Sequence, residues 1–244
     1  MSPADDGRDD RSDAEPPRKF YGRRRGRRLR PWREELYDHA LPRHRLELPA
    51  DDRQPLDPQA LFGHPAKRLW IEVGFGGGEH LAAQAKARPD VDFIGFEPFV
   101  NGVASLLRYL EEERISNVRI HPDDARPVLE RLPEASVDRF FLLFADPWPK
   151  KRHHFRRFIQ PESLAVLSRL LGDGAELRIA SDDMGLVRWM LAHLTDHPDF
   201  DWQARRPADW RVRPADAIET RYEAKALAEG RKPAYLTFRR RPRG

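Results

Sequence analysis

The chain has 244 residues, enough for one medium-sized domain with appendages, and 39% hydrophobic residues can fill one core. With 34% charged residues but a formal net charge of only +4, the clustering of charge rather than its sum bears on polyanion binding. The absence of cysteine excludes disulfides, thiolate metal sites and a cysteine nucleophile, and fits a reducing interior.

The first residues are Asp, Arg, Pro and Ser with almost no apolar side chains, too few to repay the entropy of folding, so disorder is expected over 1–17. From Arg18 to Arg33 the chain carries nine basic residues and no acid, interleaved with Phe20, Tyr21 and Trp32. Guanidinium groups neutralise phosphates and aromatics stack on exposed bases, so this stretch reads either as an RNA-binding arm or as a solvated tail. Residues 1–33 are therefore taken as a disordered basic arm and 34–66, rich in Pro and without periodicity, as an extended lead-in. No basic-then-apolar leader opens the chain and no run approaches the roughly 18 apolar residues of a membrane span, which predicts a cytoplasmic protein without membrane association.

From Arg68 onward strand and helix patterns alternate. Strands are predicted at 68–74, 92–97, 117–121, 137–145 and 175–181, with helices at 79–88, 100–114, 125–132, 161–171 and 183–195. Five such units imply right-handed crossovers, a parallel sheet and ligands at the carboxyl ends of the strands. Two further strands, 200–204 and 234–240, flank a polar excursion at 205–233 and predict a closing hairpin. The apolar spacing of Val103, Leu106, Leu107 and Leu110 reads as core packing.

The first strand runs from Trp70 into Glu72-Val73-Gly74-Phe75-Gly76-Gly77-Gly78. Glycines there let the backbone turn sharply and bring its N–H groups against a ligand. Glu72, one position before the loop, would repel a pyrophosphate and suits a cation such as a sulfonium or ammonium. Glu97 closes the second strand, where an acid can accept from both hydroxyls of an adenosine ribose. Asp124 ends the third, where it can accept from an adenine amino group or cap the following helix. The fourth strand leads into Asp146-Pro147-Trp148-Pro149-Lys150-Lys151-Arg152-His153-His154. That loop combines a rigid turn, an aromatic face and phosphate-binding cations. Lys150 to Arg157, Arg205, Arg206, Arg211 and Arg213 are further candidate phosphate contacts. Adjacent His153 and His154 point in different directions and complete no metal site, so none is expected.

These motifs resemble the bacterial tRNA (guanine-N7)-methyltransferase family, over about residues 68 to 240. The matching residues are EVGFGGG at 72–78, FIGFEP at 93–98, DA at 124–125, ADPWPKKRHH at 145–154, SDD at 181–183 and TRYE at 220–223. The resemblance implies a Rossmann-like class I methyltransferase domain over 67–244: a mostly parallel seven-stranded sheet, helices on both faces and a C-terminal antiparallel hairpin. It also implies S-adenosylmethionine as cofactor and tRNA as partner, with methyl transfer to N7 of the variable-loop guanosine. Carried over by position, Glu72, Gly74, Gly76, Gly78, Glu97, Asp124 and Asp146 would hold the cofactor, with Asp146 also catalytic. Lys150, Asp182, Thr220, Arg221, Tyr222 and Glu223 would bind substrate. Two positions depart from the family pattern: Ala145 stands where Pro is common and Arg221 where Lys is frequent. Competing readings are a methyltransferase for small molecules or proteins, a dinucleotide-dependent oxidoreductase, disfavoured by Glu72 and Glu79, and a noncatalytic RNA-binding protein. Monomer and homodimer both remain open.

Overall fold

The computed structural model describes residues 22–65 and 67–244. The expectation of a disordered arm over 1–33 falls outside the described residues up to Tyr21, with Phe20; from Gly22 onward it is corrected, because the Gly26 N–H donates to Asn101 Oδ1 at 3.0 Å, the Arg24 carbonyl accepts from the Val100 N–H and a helix begins at Pro31. Seven segments form strands: β1 (Arg68–Val73), β2 (Val91–Phe96), β3 (Val118–His121), β4 (Val137–Leu143), β5 (Leu171–Ser181), β6 (Phe200–Trp202) and β7 (Ala234–Arg240). They make one sheet in the order β3-β2-β1-β4-β5-β7-β6. The first five strands pair in parallel, and β7 runs antiparallel between β5 and β6. The closing pair is thus a hairpin whose second strand inserts against the parallel sheet, with the 203–233 excursion as its connection.

Helices α1 (Pro31–His44), α2 (Pro58–Phe62), α3 (Glu79–Ala87), α4 (Val100–Glu112), α5 (Arg126–Arg131), α6 (Pro161–Leu170), α7 (Met184–Asp196), α8 (Ala208–Arg211) and α9 (Arg221–Ala228) complete the chain. Local signals start several of them. Asp183 accepts from the Leu186 N–H at α7 and Thr220 Oγ1 from the Glu223 N–H at α9, each satisfying a helix-end donor. Pro161 opens α6, where its missing N–H costs nothing.

Alternation along the central strands splits their side chains between two cores. Leu69, Ile71, Phe140 and Leu142 face one side with α5, α6 and α7, while Trp70 and Phe141 face the other with α1, α3 and α4. Both faces of the sheet are therefore buried at its centre, which is why Leu69–Ile71 and Phe140–Leu142 read as unbroken apolar runs.

Three of the departures from the sequence expectation have a clear physical cause. The lead-in over 34–66 is not simply extended: α1 and α2 lie within or across it. Helix α1 buries Ala40, Leu41 and His44, and Arg43 and His44 both reach Glu111 of α4, at 2.6 and 3.2 Å. Strand β5 begins earlier, at Leu171, because Leu171 pairs with Val137 before the register shifts. Strand β4 ends at Leu143 because Phe144, at φ 52, turns the chain out of the sheet.

Candidate active site

At the carboxyl end of β1 the chain turns through Gly74, Gly76 and Gly78 at φ 72, 57 and 80. Gly76 is required twice over: its backbone is left-handed, and a Cβ there would lie 2.6 Å from Cε2 of Tyr222. Beyond the loop, where β1 leads to β2 on one side and pairs with β4 on the other, opens a cavity of about 380 Å³. This is the topological switch point of the sheet, and the volume suits a small ligand.

Acids from three strand ends line the cavity: Glu97, Asp123, Asp124 and Asp146. Glu97 accepts from the Gly76 N–H at 2.8 Å and from the Phe99 N–H at 3.0 Å. The amide that a pyrophosphate would use is therefore already committed to a carboxylate, which favours a cationic or sugar ligand over a dinucleotide. Burial raises the Glu97 carboxyl above its ordinary value against those two hydrogen bonds, and the charges of Asp146 and Glu72 raise it further. Asp124 accepts from the Arg126 N–H at 3.1 Å and pairs with that guanidinium at the same distance, leaving its side chain at the cavity wall. The expected capping role is not realised: the N-cap of α5 is Ala125, which makes no side-chain cap, and Asp124 closes a turn one residue earlier.

Glu72 is placed differently. It is 2% exposed, is not among the residues lining the cavity, and is hydrogen-bonded to His80 Nδ1 at 2.7 Å. Its charge acts on the site from behind the glycine loop, not as an open wall of the pocket.

Asp146 follows β4 and faces the cavity, with much of its side chain open to it; the surrounding walls still remove enough water to raise its pKa. Its loop is bracketed by two non-glycine residues at positive φ, Phe144 at 52 and Trp148 at 43. Such conformations cost about 1–3 kcal/mol each and persist where surrounding contacts enforce them. Trp148 lines the cavity, with the Arg156 guanidinium 4.9 Å from its ring. The basic run winds into a 3-10 turn, Lys151–Arg156, at the rim, and Lys150 is exposed just before it. Arg157 corrects the expectation of a phosphate contact running to that position: it is 4% exposed and points inward.

The Thr220–Glu223 segment divides into exposed and buried members. Tyr222 lines the same cavity as Asp146 and stands over Gly76. Arg221 lies over the Tyr222 ring and 3.8 Å from Glu79. Thr220 caps α9, whereas Glu223, 3% exposed, accepts from Tyr235 Oη and pairs with Arg213 at 3.2 Å. Glu223 and Thr220 therefore hold the segment in place, and Arg213 is engaged there instead of standing free. Asp182, at the end of β5, pairs with Arg231 at 2.6 Å.

Sequence reasoning missed three contributors. Gly102 in α4 approaches the loop so closely that a Cβ would meet Gly76 O at 2.2 Å; a lone glycine early in an apolar helix was the available signal. Asp216 anchors the segment before Thr220 through Arg139 and Arg178. The basic arm itself reaches the pocket: Arg24 pairs with Asp123 at 2.6 Å, its carbonyl accepts from the Val100 N–H, and Arg23 lines the cavity. Among the described residues no group of His, Asp and Glu could hold a metal, and no helix is long and apolar enough to cross a membrane.

A glycine turn and an acid-lined cavity at the switch point of a seven-stranded sheet with an antiparallel β7 define a class I methyltransferase. A protein-family profile described as "Putative methyltransferase" matches residues 66–236. The tRNA (guanine-N(7)-)-methyltransferase of Rhodospirillum rubrum is 56% identical over 226 residues, covering 92% of this chain and 89% of that protein. That of Ruegeria pomeroyi is 49% identical over 231 residues, covering 92% and 95%. The chain belongs to the family of these tRNA (guanine-N(7)-)-methyltransferases. The fold also matches the crystal structure of an rRNA methylase from Streptococcus thermophilus, at a TM-score of 0.50 and 12% identity, over 72% of this chain and 88% of that one.

Proposed function

We propose that the protein transfers the methyl group of S-adenosylmethionine to N7 of the variable-loop guanosine of tRNA, in the cytoplasm. The observation that carries this reading is the Asp146-Pro147-Trp148 loop, held between an acid-lined cavity and a basic rim, with Tyr222 facing it. The residues fit the cofactor: Glu97 keeps acceptor capacity and would take ribose hydroxyls, Asp124 on the cavity wall would accept from the adenine amino group, and the carboxylates of Glu97 and Asp146 favour a cation. When bound, S-adenosylmethionine supplies an electrophilic methyl on a sulfonium.

Guanine N7 carries an in-plane lone pair, so no base need remove a proton before attack. The protein's task is alignment, which makes positioning its largest contribution. Asp146 accepts from guanine N–H groups and offsets the positive charge that develops on the ring. Trp148 and Tyr222 offer faces on which a displaced nucleotide can stack. Lys150 and the basic rim, with Arg205, Arg206 and Arg211, take phosphates, and Arg221 and Asp182 bind at the substrate side. Residues 67–244 form the methyltransferase domain, and the basic arm before α1 extends the RNA surface.

Transfer of labelled methyl to unmodified tRNA transcripts, followed by cleavage at N7-methylguanosine, tests the reading. A single modified variable-loop guanosine is expected. Label on another base would refute the substrate assignment, and label on small molecules alone would favour a non-RNA acceptor.

A further inference from the structure

Arg157 is a charged side chain with nothing to do on the surface. It is 4% exposed and forms no ion pair among the described residues. Its Nε donates to Pro147 O at 3.0 Å and its Nη2 to Trp148 O at 3.4 Å. One face of the guanidinium lies 4.9 Å from the Trp189 ring. That ring is itself fixed: its Nε1 donates to Ile159 O at 2.8 Å, and His193 packs against it with centroids 4.2 Å apart. The backbone of Arg157 is held as well, its N–H donating to His154 O at 3.0 Å.

We infer that Arg157 is a positioning residue that locks the Asp146-Pro147-Trp148 loop in its strained conformation and thereby fixes the direction of the Asp146 carboxylate. The two carbonyls it holds belong to the residue after Asp146 and to Trp148, whose φ of 43 is disfavoured for any side chain with a Cβ. A planar fork can serve two neighbouring carbonyls at once; an ammonium is a point donor and cannot reproduce that geometry. A buried cation without a carboxylate partner is costly, so its retention at this point is explained by direction and not by charge pairing. Burial lowers the Arg157 pKa while the charge of Asp183, at the start of α7, opposes that shift and helps keep the group charged.

This inference rests on the methyl-transfer reading, and the test separates the two. Wild type, Arg157→Lys, Arg157→Gln, Trp148→Gly and the Arg157→Gln/Trp148→Gly double variant are compared for kcat and KM with tRNA, donor affinity by calorimetry, and amide exchange over 144–150. Arg157→Gln should lower kcat at least tenfold, leave donor affinity within about threefold, leave the salt dependence of KM unchanged, and speed exchange in the loop. Arg157→Lys should recover part of kcat. Because glycine adopts positive φ freely, Arg157→Gln should cost markedly less in the Trp148→Gly background. Unchanged kcat with a raised KM and a shallower salt slope would make Arg157 a phosphate contact and overturn the inference, as would additive effects in the cycle. If Arg157→Gln does not fold, Arg157→Lys with unchanged exchange and kcat overturns it equally. Wild type without activity on tRNA would sink the substrate reading, while faster loop exchange in the variants would still support the lock.

Discussion

Replacing Asp216 by Asn should release the segment that presents Tyr222 to the cavity. Asp216 accepts from Arg178 at 2.7 Å and Arg139 at 3.1 Å, and both arginines also face Glu176, at 2.7 and 3.3 Å. Its backbone carbonyl accepts from Gln84 Nε2 of α3 at 2.5 Å. The arginine of β4 lies over Trp70, 4.2 Å from the ring, so the cluster sits on the α3 face of the sheet. Loss of the carboxylate leaves two partly buried cations facing one acid. Two charge-assisted hydrogen bonds are worth roughly 1.5–3 kcal/mol each; the 31% exposure of Asp216 and the partner that remains bring the expected loss to about 2–3 kcal/mol. For a chain of this size that is a fall in melting temperature of about 4–12 °C if the segment unfolds with the domain. If it opens locally, the loss shows instead as faster amide exchange over 212–223 and a several-fold higher KM for tRNA. Burial tends to raise the Asp216 pKa, but Arg178 and Arg139 outweigh it and the net shift is downward. Its stabilisation is thus complete above the unfolded carboxylate pKa and fades as pH falls through the lower folded value. A melting temperature within about 1 °C of wild type, together with unaltered exchange in the segment, would refute the anchoring role.

Asp146→Asn should reduce turnover by about 10²-fold or more with modest loss of donor affinity, as expected for a group acting on developing charge; near-normal turnover in single-turnover assays would remove Asp146 from the chemistry. Gly102→Ala should weaken donor binding at least tenfold by calorimetry, since its Cβ would press on Gly76 O and lie 3.2 Å from Glu97 Cγ; unchanged affinity would show that the loop yields without cost. Burial raises the Glu97 and Asp146 carboxyls, so each disfavours the folded state as it ionises with rising pH. A bound cation relieves that penalty, so donor affinity should increase as pH rises through this raised range, with proton release detectable in buffers of different ionisation enthalpy; pH-independent binding without release would contradict it. Lys150→Ala combined with Lys151→Ala should raise KM for tRNA and flatten its dependence on salt while leaving donor affinity unchanged.

The parallel core was legible because the middle of the sheet is buried on both faces, so Leu69–Ile71 and Phe140–Leu142 are plain apolar runs, and each acid at a strand end had a fixed place in that pattern. Helix α1 was not legible for the opposite reason. It buries only Ala40, Leu41 and His44, and much of its attachment is the pairing of Arg43 and His44 with Glu111, a contact no local periodicity encodes. The same limit applies within the site. Glu72 and Glu97 look alike in sequence, each an acid at the end of an apolar strand, yet one lies behind the loop on His80 and the other is grasped by the loop amide. Glu223 and Tyr222 are adjacent, yet the helix turns one toward Tyr235 and the other toward Gly76. Sequence spacing located the segment; only the packing decided which member supports and which presents.

The distribution of charge links these pieces to the reaction. Inside the cavity the acids lie on strand ends, where sheet geometry fixes them, and burial raises the pKa of Glu97 and Asp146, so these two gain by meeting a cation. Outside, the cations lie on the 3-10 turn and in the connection before α9, on exposed backbone able to adapt to a polyanion. Arg23 and Arg24 stand at the boundary, one on the cavity wall and one paired with Asp123. Arg126, the basic residue beside the inner acids, is paired with Asp124 at 3.1 Å, and an acid placed on the outer turn would repel the tRNA backbone. The Asp146 loop faces both fields, and its two residues at positive φ allow a carboxylate to face inward while the lysines four and five positions later face out.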